Sequence, residues 1–108
     1  TRNEFPGAKE ARIRDIELIT ERVERDKLFP AVLCGDFNVE PGTPEIDFLH
    51  TLWDVCNDVC LDEYTHHSGL MLDYICTYPK GRMQLRDFQI GPQSVASDHR
   101  PVTAELEM

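Results

Sequence analysis

The apolar residues change their spacing part-way along this chain of 108 residues. From about Ala8 to Asp26 they recur at helical intervals. Ala8, Ile13, Ile16, Ile19 and Val23 share one broad face, and Arg12, Arg14, Glu17, Glu21, Arg22 and Arg25 fill most of the rest. From Met71 to Tyr78 the interval is two: Leu72, Tyr74, Cys76 and Tyr78 fall on one side, Met71, Asp73 and Ile75 on the other. Pro101 to Leu106 alternates again, with Val102, Ala104 and Leu106 inward and Thr103, Glu105 and Glu107 outward. A helical pattern does not sit in a sheet, nor an alternating one on a helix. Helix therefore leads and strands follow.

The intervening segments extend this order. Pro30 to Cys34 reads as a short buried strand, apolar on both faces, with Cys34 and Cys76 as small core residues. Glu40-Pro41-Gly42 is a turn. Thr43 caps a second helix with Pro44 at its first position, and Ile46, Leu49, His50 and Trp53 form its inward side. Residues 54–70 carry no clear period. Pro79-Lys80-Gly81 reads as a hairpin loop into a strand from Arg82 to Ile90, and Gly91-Pro92-Gln93-Ser94 as a further loop. The expected fold is α/β of the α+β kind, a mostly antiparallel sheet with helices on one face. Its other face would be bare, which points to a partner sheet outside the chain.

Composition narrows the class. Hydrophobic content of 41% and charged content of 29% fit one small globular domain. The longest apolar run, Ala31 to Cys34, is far too short to span a bilayer, and no basic-then-apolar leader opens the chain. A cytoplasmic location is the expectation. The net charge of −9 repels nucleic-acid backbones and anionic membranes unless a bound cation offsets it. Cys34, Cys56, Cys60 and Cys76 have no disulfide-framework spacing. Cys56 and Cys60, followed by His66 and His67, offer a loose zinc spacing, but adjacent histidines rarely both reach one ion.

Three strings carry the chemistry: Gly35-Asp36-Phe37-Asn38, Leu72-Asp73-Tyr74-Ile75 and Ser97-Asp98-His99-Arg100-Pro101. Each sets a carboxylate, and one of them a histidine, at an end of an apolar stretch. Asp36 can orient a water and take its proton, or hold a metal. Asn38 offers an amide to a phosphoryl oxygen. The alternative is an Asx-type turn closing the strand. His99 can donate to a phosphoryl oxygen, better so when a carboxylate holds its other nitrogen, and Asp73 is the candidate partner. Otherwise Asp73 caps a loop and His99 is a surface residue. Asp98 can add a metal contact. Arg100 pairs with an acidic neighbour and has no chemical role. Thr65, His66 and His67 either line a substrate groove or are plain loop residues.

Taken in order, the strings resemble the endonuclease/exonuclease/phosphatase superfamily, the DNase I-like phosphoesterases. The resemblance implies a four-layered sandwich of two sheets with helices outside, and phosphoester hydrolysis with Mg²⁺ or Mn²⁺. It implies that Asp36 activates water near the metal and Asn38 contacts the scissile phosphate. By the same resemblance Asp98 lies near metal and water, His99 stabilises phosphoryl charge, and Asp73 pairs with His99. Residues 1–108 would correspond to the C-terminal half of such a domain, with the N-terminal half and its metal-binding Glu absent. Glu4 and Glu10 lie before or inside a helix and do not replace it. The implied partners are a phosphoester (a small molecule, lipid headgroup or nucleic acid), the missing half, and a second copy packed on the bare sheet. The acidic balance leans towards small phosphoesters over long duplex DNA.

Overall fold

The computed structural model describes residues 6–108; Glu4 lies outside them. Among the described residues the order is α1 (Ala8–Arg25), β1 (Ala31–Asp36), α2 (Pro44–Leu52), β2 (Asp54–Val55), a 3-10 turn (Cys56–Cys60), β3 (Asp73–Tyr78), β4 (Gln84–Ile90) and β5 (Val102–Glu107). The strands form a sheet of order β1-β3-β2 and a separate β4–β5 ribbon, every pair antiparallel. The class is α+β. No helix of the described residues is long and apolar enough to cross a membrane.

Local chemistry sets the two helices. Glu10 stands in the first turn of α1 and Arg22 and Arg25 in its last, each favourable to the helix dipole. The Thr43 hydroxyl accepts from the Ile46 amide at 3.4 Å, with Pro44 beginning α2. Arg12 donates to the buried Glu45 carboxylate through Nη2 at 2.6 Å and Nε at 3.0 Å, joining α1 to α2. Burial by itself would raise the Glu45 carboxyl. The bond from Arg12 and the Glu45 backbone amide outweigh it and hold the group below its usual range.

β3 is central and covered on both sides. Tyr74, Cys76 and Tyr78 pack with Ile16, Val23, Ile46, Leu49 and Trp53 beneath the helices. Ile75, on the other face, packs with Cys56 and Phe88, against Leu85, Val102, Ala104 and Leu106 of the ribbon. Trp53 and Tyr74 bury polar tips only because both find partners. Trp53 Nε1–H donates to Thr20 Oγ1 at 2.9 Å, and the Tyr74 hydroxyl to the Val39 carbonyl at 2.8 Å.

Four sequence expectations are corrected. Pro79-Lys80-Gly81 is not a hairpin loop, because β3 pairs with β1 and β2 and has no free edge for β4. The residues after it cross to the second layer, where Phe88 lies face-on to Ile75. That layer covers the sheet from within the chain, so the predicted bare face is largely filled. Secondly, β1 is not buried on both faces: as an edge strand beyond the ribbon's reach it leaves Val32 50% exposed and Cys34 exposed. Thirdly, Ile19 lines the groove between α1 and β1, 38% exposed, and does not enter the core, while Thr20 lies over Trp53. Finally, β1 runs on through Gly35 to Asp36 and does not stop at Cys34.

Candidate active site

Asp36 ends β1 and Asp73 begins β3, and the antiparallel register sets them directly opposite one another. Like charges in such a pair repel. Gly35 makes the approach possible with φ of 150°, a conformation that residues with a side chain rarely adopt. His99, from the loop before β5, lies across the two carboxylates. Its Nδ1 is 2.7 Å from Asp73 Oδ2 and its Nε2 3.7 Å from Asp36 Oδ2. The first contact is a charge-assisted hydrogen bond; the second is too long to be one.

Backbone clamps hold Asp73 in place. The fully buried Asn57 donates Nδ2–H to the Asp73 carbonyl at 2.8 Å and accepts from the Ile75 amide at 3.1 Å. Thr65 Oγ1, also fully buried, accepts from the Leu72 and Asp73 amides at 2.8 and 3.1 Å. Thr65 thus lines no groove. The sequence offers no signal for Asn57 and marks Thr65 only as a groove or loop residue, because an Asn and a Thr in an aperiodic stretch carry no local signature of a backbone clamp. Arg100 does pair with an acidic neighbour, Glu63 at 3.1 Å. It also donates to the Gly91 carbonyl at 2.6 Å and lies over the Tyr64 ring, tying three loops together beside His99.

Asn38 and Asp98 are neighbours of this pairing, each next to one of its members. Asn38 has φ of 62°, and its amide donates to Asp36 Oδ1 at 2.7 Å, the Asx-type turn that the sequence left open. It lines a groove between α1 and β1 together with Asp36, Arg12 and Glu45. Asp98 falls in a different group from Asp36, with His66 and His67. Among the described residues Asp36 and Asp98 are not gathered into one group of three ligands. Nor is the cysteine–histidine zinc set, since among the described residues no group of metal-ligating atoms joins a cysteine to these histidines. Cys56 is packed on Phe88 instead, where burial, then Asp54 and Asp58, raise its thiol above the ordinary value.

No family model, curated protein or solved structure matches this chain. The site is accordingly read from its own geometry. The hydrogen bond to Asp73 raises the His99 pKa; burial opposes it, and the charges of Asp73, Asp36 and Asp98 add to it. A histidine whose pKa is higher folded than unfolded binds its proton more tightly in the native state. Its stabilisation is complete below the unfolded value of about 6.5 and is lost as pH rises through the folded value. Thermal melts of the wild type are expected to fall over that window. Asp73→Asn should flatten the decline, and an equal slope in both would refute the coupling.

Proposed function

We propose that Asp36, Asn38, Asp73 and His99 belong to the site of a divalent-metal-dependent phosphoester hydrolase of the DNase I-like kind. The observation that carries this reading is the imidazole held between two carboxylates that end adjacent strands. Its raised pKa favours the imidazolium, which can donate from Nε2 to a phosphoryl oxygen. Asp36 Oδ2, 3.7 Å away, is placed to orient a water and take its proton. Asp73 keeps the ring oriented and its Nδ1 bonded.

Mg²⁺ and Mn²⁺ take oxygen ligands, and Mg²⁺ keeps much of its water, so one or two carboxylates beside the substrate phosphate suffice. Asp36 fits that requirement: its carboxylate ends β1 directly opposite that of Asp73, and the ligand atoms of the two lie within 4.8 Å of one another. Such a cation would supply positive charge to the phosphoryl group. The acidic chain favours small phosphoesters or nucleotides over duplex DNA.

A second reading, a non-catalytic module that keeps these residues for folding, is favoured by the Asx turn at Asp36. Hydrolysis of a chromogenic phosphodiester with Mg²⁺ or Mn²⁺ separates the two. The enzyme reading expects turnover that chelation abolishes and that Asp36→Asn reduces about a hundredfold or more. Turnover indistinguishable from buffer with either cation favours the module.

A further inference from the structure

We propose that His66, His67 and Asp98 form a site for a divalent transition-metal ion of the Zn²⁺ class, sharing no ligand with the group around Asp36 but adjoining it where the His66 ring lies 4.8 Å from that of His99. This goes beyond the phosphoester reading and does not rest on it, since binding is read with the metal alone.

The three side chains offer one ligand atom each within 4.8 Å of one another. A tetrahedral zinc ion needs its ligand atoms roughly 3.4 Å apart. His67 Nδ1 and Asp98 Oδ1 already lie 3.8 Å apart, and both side chains are exposed, so rotation about their own bonds closes the rest. Adjacent histidines would diverge in an extended strand. Here a turn overrides that, closed by the Gly69 amide on the His66 carbonyl at 2.9 Å with Gly69 at φ of 92°. The two rings come to lie 4.5 Å apart between centroids.

The frame around them is rigid. The His67 amide donates to the Asp98 carbonyl at 2.8 Å and the Arg100 amide to the Thr65 carbonyl at 2.7 Å, so the two loops are laced together. Ser68 Oγ lies 2.8 Å from His66 Nδ1. The Ser68 amide donates to the same nitrogen at 3.2 Å, so the turn itself fixes the orientation of the ring. Two imidazoles and one carboxylate suit Zn²⁺ or Co²⁺, whereas Mg²⁺ prefers oxygen alone. Three protein ligands leave a position for water or a ligand.

Calorimetric titration of Zn²⁺ into the metal-free chain, in a non-chelating buffer near neutral pH, tests the proposal. His67→Ala and Asp98→Asn are each expected to weaken this site about tenfold or more. Both residues are exposed, and circular dichroism should show both variants folded. Asp36→Asn removes a nearby charge but no ligand, and is expected to weaken the site less than either of those variants. Undiminished Zn²⁺ affinity in His67→Ala would overturn the site, as would equal loss in Asp36→Asn. So would a Co²⁺ complex with a thiolate charge-transfer band, which would place the ion on a cysteine, or wild-type binding weaker than about 1 mM.

Discussion

His99→Ala is expected to lower phosphodiester turnover by about 10²- to 10⁴-fold. His99 lies between Asp36 and Asp73, and its Nε2 is the ring nitrogen that the proposed function assigns to a phosphoryl oxygen. Its contribution is to charge that builds as the phosphoryl group reacts, so the loss should fall mainly on kcat, with KM little changed. In the wild type the rate should decline on the alkaline side, as pH passes the raised His99 pKa and the imidazolium is lost. The substitution also leaves Asp36 and Asp73 opposed without a cation, which weakens the fold at neutral pH and less so in acid. Melting curves at two pH values separate that effect from the catalytic one. A folded His99→Ala protein with wild-type kcat would sink the proposed role and leave His99 as a clip between β3 and the last loop.

The largest loss of stability is expected at Trp53. It is 1% exposed, its ring centroid lies 4.9 Å from that of Tyr78, and its indole N–H is bonded to Thr20 on α1. Trp53 is thus where α2, α1 and the central strand meet. Trp53→Ala removes that packing and leaves a cavity, a loss of about 4 kcal/mol. For a domain of this size that is a large share of a total near 5–15 kcal/mol. The melting temperature should drop by roughly 15 °C or more. Trp53→Phe keeps much of the volume, loses the bond to Thr20, and should fall between. Far-UV circular dichroism is the measurement, because the chain has one Trp and the variants lose its fluorescence. An unchanged melt in Trp53→Ala would show that the core does not close on this residue.

The cation site at His66, His67 and Asp98 has a different standing with respect to the sequence. The adjacent histidines argued against shared ligation, and Asp98 was expected beside Asp36. What altered both was a turn at residues 67–69 and the lacing of that turn to residues 98–100. Neither feature leaves a mark in a single segment. The clamping roles of Asn57 and Thr65 were illegible for the same reason. Each bonds to the backbone of Asp73 at least eight residues away, and no spacing rule reaches that far.

Wherever the controlling interaction is local, the sequence by itself determined the outcome. Helical spacing placed α1, Thr43 and Pro44 placed the start of α2, and alternation placed β3, and β5 with its inward side, although Met71 packs with Tyr74 and Cys76 and not with Ile75. These depend on contacts within one or two turns of chain, which residue types decide almost alone. Only the tertiary structure decided which strand meets which. β3 has two edges, and once β1 and β2 occupy them β4 must stack on a face instead of extending the sheet. That same competition puts Asp36 opposite Asp73 and brings His99 between them, because edge pairing is settled among segments tens of residues apart and by none of them singly.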